Sequence, residues 1–263
     1  MNIIEAMQAR RSVRSYDGSL LDAKQTELLR QAIEDSYSPF GGSVTIRLKE
    51  FDLRAGYKPS TYGFIKGATT FFLLAFGDDE ASQLSAGFRF EQVVLRAWQA
   101  GLGTCWIAGT FKGSDFGRGE VWPEGEALKA VSPVGCPTGL TFREKLMRFA
   151  VGSKNRKPFD SLFFREDFAT PVPAGSPFYE ALQMLRLAPS STNSQPWRAV
   201  VSDDRVDFYC LAKGALSVLD TGIGICHFVE TEKFHGHDGT FSKLSLPPCP
   251  RENWRYLVSY SRR

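Results

Sequence analysis

The sequence predicts an α+β fold laid down twice along one chain, and three observations carry that expectation. Two long helices are legible, at about residues 81–100 and 215–233. Each follows short β-rich runs. A Pro- and Gly-rich stretch, Ala169 to Pro177 (Pro171, Pro173, Gly175, Pro177), separates the two blocks as a linker. At 263 residues the chain is long enough for one large domain or two modest ones around a sizeable core.

Each element has its own warrant. Ile3 to Ala9 fits a first helix. Asp22 caps a second, which runs to about Asp35 with Leu28, Leu29, Ala32 and Ile33 on its apolar side. Pro39, Gly41 and Gly42 break it. Ser43 to Phe51 alternates Val44, Ile46 and Leu48 with polar neighbours, as a half-buried strand does. Thr69 to Phe76 is almost continuously apolar, as a buried strand is. The long helix from Ala81 to Ala100 ends at Gly101. Thr104 to Ala108 reads as a short strand, Trp122 to Val134 as a short helix running into a strand, and Arg143 to Arg165 as basic and irregular.

After the linker the pattern restarts. Phe178 to Leu187 is a helix and Ala188 to Pro196 a polar loop. Trp197 to Val201 and Val206 to Leu211 form a hairpin around Asp203-Asp204. Ala215 to Lys233 is the second long helix, and Thr240 to Leu244 and Trp254 to Tyr260 are final strands. Residues 32–48 and 181–201 share one order: helix end, Ser/Pro turn, small polar loop, strand. The reading is therefore a duplicated unit, 1–168 and 169–263.

Composition excludes several classes. Hydrophobic residues make up 43% and charged residues 23%, an ordinary globular balance. A net charge of +3 is too small to predict a nucleic-acid or membrane partner. No apolar run reaches the roughly 18 residues of a membrane helix. Met1 to Gln8 has an acid and no apolar centre, unlike a signal peptide. Five scattered cysteines without metal spacing point to a reduced cytoplasmic protein. His235 and His237 lack a third ligand, so no metal is expected. Cys226 and His227 are adjacent on a helix and do not face each other.

Four motifs carry chemistry. Arg10-Arg11-Ser12-Val13-Arg14 puts residues 10, 12 and 14 on one side of an extended segment, which suits a phosphate and a polar ring edge. A solvated basic turn fits the spacing equally. Ala188-Pro189-Ser190-Ser191-Thr192-Asn193-Ser194-Gln195-Pro196-Trp197 is crowded with donors and acceptors that a flat heterocycle could use. Alone, it also reads as a helix-terminating loop. Gly101-Leu102-Gly103-Thr104-Cys105-Trp106-Ile107-Ala108-Gly109 makes a tight helix-to-strand turn, with Gly109 open to close ligand approach or the whole serving only as a helix cap. Lys154-Asn155-Arg156-Lys157-Pro158 is a cationic cluster fit for a phosphate or for solvent.

Together the R-x-S-x-R segment, the A-P-S-x-x-N-x-Q-P-W loop, the G-L-G-x-x-W-I-x-G turn and the late K-x-R resemble the FMN-dependent nitroreductases, over about residues 3 to 260. The resemblance implies a three-layer α/β/α sandwich with mixed, mainly antiparallel sheets and long central helices. It implies one FMN, NADH or NADPH as electron donor, and two-electron ping-pong reduction of a small nitroaromatic or quinone. A non-enzymatic FMN-binding protein is the alternative. By the match, Arg10, Arg11, Ser12 and Arg14 contact FMN, and Lys154 and Arg156 meet its phosphate. Ile107, Ala108 and Gly109 line its ring, and Pro189, Ser190, Ser191, Asn193 and Gln195 reach it from the other half. Gly222 and Gly224 let the second long helix pack against the first. No catalytic side chain is implied, since the flavin carries the chemistry.

One departure matters. In ordinary members of the family the N-x-Q-P-W loop follows the R-x-S-x-R segment closely. Here that place holds Ser38-Pro39-Phe40-Gly41-Gly42, and the intact loop comes after the linker. The family site lies between two subunits. The departure therefore implies a fused pair of subunits, a monomer that mimics a dimer, with one live site and one dead one.

Overall fold

The computed structural model describes residues 1–51, 59–139, 155–246 and 252–263. Helix α1 spans Ile3–Ala9 and starts with a capping box: Asn2 accepts from the Glu5 N–H, and the Glu5 carboxylate accepts from the Asn2 N–H. Helix α2, Ala23–Asp35, is capped in the same way by Asp22 and Gln25. Strands β1 (Val44–Glu50) and β2 (Thr70–Phe76) lead to α3 (Glu80–Gln99). Then come β3 (Gly103–Thr104), α4 (Gly113–Phe116), β4 (Ala127–Gly135), β5 (Phe163–Arg165) and β6 (Thr170–Pro171). The remainder is α5 (Tyr179–Leu187), β7 (Trp197–Ser202), β8 (Arg205–Leu211), α6 (Ser217–Phe234), β9 (Gly239–Ser242) and β10 (Trp254–Arg262).

The strands form two sheets, ordered β1-β2-β4-β3 and β6-β5-β7-β8-β10-β9. Every pairing is antiparallel except β5 with β7. The α+β class, the mainly antiparallel sheets and the long central helices are as the sequence predicts. In this chain the middle layer is helical: α3 packs on β1, β2 and β3, α6 on β7 and β8, and the two helices on each other. Among the described residues no helix is long and apolar enough to cross a membrane.

One order of elements occurs twice, as α2-β1-β2-α3-β3-β4 and as α5-β7-β8-α6-β9-β10. The registers correspond as well. Phe76 faces Ala127 and Thr70 faces Val134 in the first sheet, where Leu211 faces Trp254 and Arg205 faces Ser261 in the second. Each of these pairings contains one irregularity, at Leu74/Ala75 and at Tyr256/Val258.

The crossing of α3 and α6 is reciprocal. A Cβ on Gly87 would lie 2.1 Å from the Leu219 carbonyl oxygen, and one on Gly222 would lie 2.3 Å from that of Leu84. Such an i-to-j, j-to-i contact is the pattern of a two-fold interface, here inside one chain. Gly222 does the work expected of it. Gly224 does not face α3; it packs on Leu185 and Trp197, and Gly87 supplies the second point of close approach.

Four local expectations are corrected. The strand expected over Thr104 to Ala108 stops at Thr104, because Trp106 turns inward to bond Glu91; Ile107 alone returns to β4, exchanging backbone bonds of 3.0 and 2.9 Å with Val131. No helix forms at Trp122. Gly125 adopts φ +80°, Glu126 N–H donates to the Pro123 carbonyl at 3.1 Å, and Arg47 stacks over the Trp122 ring. Of the stretch read as irregular, 143–154 lies outside the described residues, and the rest contains β5, whose parallel pairing with β7 leaves little local pattern. The expected linker begins as strand, Thr170–Pro171 pairing with β5. The hairpin turn at Asp203-Asp204 is as read, with Asp203 at φ 38°.

Candidate functional site

The segment after α1 leaves the helix extended and runs beside the turn that follows α3. Ser12 bridges Thr104 in parallel, and the Val13 N–H donates to the Thr104 carbonyl at 2.8 Å. Gly103 allows this approach, since a Cβ there would lie 2.8 Å from the Val13 side chain. Alternation separates the arginines. Val13 is buried, while Arg11 is exposed and stacks over Trp98. Arg14 is half-buried, its carbonyl accepting from the Lys66 N–H.

Arg10 goes inward. Its side chain is only 5% exposed; Nε lies 3.8 Å from Glu91 Oε1, and Nη1 is buried without a hydrogen-bond partner. A buried unpaired guanidinium N–H is costly unless an anion meets it. Glu91, fully buried on α3, also accepts from Trp106 Nε1 at 2.8 Å and lies 3.0 Å from His227 Nε2 on α6.

Arg156 joins this group from the far side. Its Nη1 donates to Asn193 Oδ1 at 3.0 Å and its Nη2 to the Leu187 carbonyl at 2.9 Å. Burial first, and then the charges of Arg10 and Arg186, hold its pKa below the usual guanidinium value. Lys157 is lowered too, by burial and then by Arg198. Its Nζ donates to the Ser194 carbonyl at 2.7 Å. Arg186 Nε donates to the Lys157 carbonyl. Lys154 lies outside the described residues.

The Ser190–Gln195 loop is wound tightly against these cations. Thr192, Asn193 and Gln195 have φ values of 50°, 58° and 48°, uncommon for residues with a Cβ and a form of strain that clusters at ligand sites. Ser190, after the half-buried Pro189, accepts from the Gln195 N–H at 2.9 Å, and the Ser191 N–H donates to Asp220 Oδ2 at 3.0 Å. Asn193 Nδ2 donates to the Asn155 carbonyl. Gln195 turns inward: its Oε1 accepts from the Lys157 N–H at 2.8 Å, so this side chain shapes the loop. Burial pushes the Asp220 carboxyl up to about 7, against the bonds from Ser191 and Ser194.

Ala108 and Gly109 border a cavity of about 440 Å3, walled by Leu128 on one side and by Leu216 and Leu219 of the other half. Nothing lies within 4 Å of a Cβ built on Gly109. Ile107 sits behind, in the core under β4. The structure thus gathers Arg10, Arg156 and Asn193 from distant parts of the chain and puts Ala108 and Gly109 on a two-sided cavity, while Arg11 stands outside the group.

The related position on the other side is filled. Ser38 Oγ lies 2.6 Å from Ser85 Oγ, Phe40 sits edge-on to Phe88 and Phe241, and Lys233 covers the Tyr37 ring. Sequence reasoning missed Glu91, Asp220 and the role of His227. Their one local signal is a charge or imidazole within an otherwise apolar helix. Among the described residues no cluster of three metal-ligating side chains occurs.

Comparison with known proteins places the chain among nitroreductase-like proteins. The family model described as "Putative TM nitroreductase" matches residues 2–231. The crystal structure of a "putative nitroreductase" from Thermotoga maritima superposes with a TM-score of 0.64 at 17% identity, over 100% of this chain and 93% of that one. A Bacteroides fragilis nitroreductase with bound FMN gives 0.42 at 15% identity, over 54% of this chain and 92% of that one. No curated protein matches the sequence.

Proposed function

The chain belongs to the nitroreductase family whose model spans residues 2–231, and from that membership we propose that it is an oxidoreductase holding one FMN between its two halves. The observation that carries the reading is Arg10, nearly buried, with Nη1 unpartnered and with Arg156 close enough for the charge of Arg10 to help lower the Arg156 pKa, after burial. Such a concentration of guanidinium groups fits a phosphate dianion, which would supply the missing acceptor.

FMN supplies reversible two-electron transfer when bound. The chain's residues bind and orient it. Arg10 and Arg156 hold the phosphate. Arg14, four residues along the same extended segment from Arg10, places a fixed positive charge toward the polar ring edge, which favours a negatively charged reduced state. Ser12 lies between them. The backbone at Ala108 and Gly109 leaves open space for a ring face, and Leu216 and Leu219 narrow the cavity and limit water. Ser190, Ser191 and Asn193 close the site from the other half, fixed in turn by Gln195, Asp220 and Arg156. Solvent delivers protons, so no side chain need act as acid.

NADH or NADPH is the proposed donor, and a small nitroaromatic or quinone the oxidant. The repeated element order and the reciprocal helix crossing support a fused pair of subunits, active as a monomer in a reducing compartment such as the cytoplasm. The rings of Phe40 and Phe241 support a dead second site. The test is turnover. NADH or NADPH should bleach the flavin's visible absorption without oxygen, and a nitroaromatic or quinone should restore it. The alternative is flavin binding without catalysis. Yellow protein that fails both steps would establish that reading instead.

A further inference from the structure

We propose that Glu91 is the residue that positions Arg10 for the phosphate group of the flavin, with His227 of the other half fixing Glu91 in turn. The inference rests on the reading that this phosphate lies between Arg10 and Arg156.

Glu91 is 0% exposed in the middle of α3, where a carboxylate is unfavourable unless several donors surround it. Two N–H donors and an imidazole nitrogen do, from three separate parts of the chain. Trp106 Nε1 is 2.8 Å from Oε2, while His227 Nε2 at 3.0 Å and Arg10 Nε at 3.8 Å face Oε1. His227 is itself anchored, with Nδ1 3.1 Å from the Met184 carbonyl oxygen on α5.

The arrangement has a directional consequence. Arg156 places a positive charge near Arg10, and Arg186 adds one beside Arg156. Like charges drive Arg10 away from that side. Glu91 receives the Nε edge on the opposite side and so fixes how far Arg10 retreats, while Nη1 stays buried and unpartnered. A residue that merely filled core volume would need no charge. Glu91 thus ties the phosphate-side arginine, the Trp106 turn before Ala108 and the second half into one unit.

The test compares FMN with riboflavin, which lacks the phosphate, by titrating each into the full chain. Glu91→Gln keeps the shape and removes the charge. It should weaken FMN about tenfold, the scale of one charge-assisted hydrogen bond, and leave riboflavin nearly unchanged. Arg10→Met should show the same selectivity, and the double variant should be no worse than the weaker single one. If Arg10→Met is selective but Glu91→Gln is neutral, or weakens both flavins equally, the positioning role is overturned while the phosphate placement stands. If Arg10→Met does not distinguish the flavins, the phosphate placement fails and the inference with it. Should Glu91→Gln not fold, Glu91→Asp retains the charge on a shorter stem. An FMN-selective loss there supports the proposal, and an equal loss for both flavins overturns it.

Discussion

Replacing Gly222 by Ala tests the crossing on which the site's two-sided geometry depends. The added Cβ would lie 2.3 Å from the Leu84 carbonyl oxygen and 3.1 Å from the Leu84 carbonyl carbon and Cα. These are backbone atoms of a buried helix, so no side-chain rotation relieves the clash, and α3 and α6 must separate by about 1 Å to reach ordinary contact distances. Two effects oppose each other. Ala favours the helical state by about 1 kcal/mol over Gly. Overpacking a tight core costs about 1–3 kcal/mol and sometimes more, and here it acts where the two longest helices among the described residues cross. The clash should win, with a net loss of about 2 kcal/mol. Urea unfolding followed by far-ultraviolet circular dichroism measures it as a lower midpoint at unchanged slope. Gly87→Ala, 2.1 Å from the Leu219 carbonyl oxygen, should cost a similar amount. The double variant should cost less than the two together, because the first substitution already parts the helices. A Gly222→Ala protein more stable than wild type by about 1 kcal/mol, the propensity gain alone, would refute the crossing.

Other expectations are as concrete. Asp220 has a carboxyl raised from 3.8 to about 7, so between these values the folded chain binds a proton that the unfolded chain does not. Stability contributed by this group is present at low pH and is lost as pH rises toward about 7, by on the order of 1 to 4 kcal/mol in all. Asp220→Asn should flatten that part of the profile and be the more stable protein at pH 8; a wild type that gains on the variant over the same range contradicts the sign. Phe40→Ala should destabilise by roughly 1–3 kcal/mol in calorimetry, through lost ring contacts with Phe88 and Phe241, yet bind no additional FMN, because Arg89 beside that place is already bonded to Ser36 Oγ and the Val44 carbonyl. Arg156→Met frees Asn193 Oδ1 and the Leu187 carbonyl. It should lower FMN affinity by about tenfold or more in the titration used for Arg10→Met, and an unchanged affinity would remove Arg156 from the phosphate site.

How much of this was legible varied with the range of the interaction. Helices α2 and α3 follow from local signals, an Asp cap at Asp22 with apolar periodicity and a Gly stop at Gly101, and the structure bounds them within a residue or so of the reading. The Asp203-Asp204 hairpin is equally local. Strand β5 is three residues long and owes its form to β7, so its own sequence carries almost no trace of it. The strand expected after Thr104 was lost to a tertiary contact, Trp106 with Glu91. The motifs singled out Arg10 and Asn193, because several hydrogen-bonding residues crowd a short span. They could not reveal that Arg156 joins the two, or that Glu91 meets His227 from 136 positions away. Periodicity sees one helix face at a time, and a pair between two helices leaves in each only a polar residue whose partner is not named.

The most direct measurement of the central claim is the number of FMN molecules per chain, taken together with the mass of the native particle in solution. The account predicts one FMN per chain in a monomer. Two FMN per chain, or a dimer whose flavins depend on both chains, would contradict it.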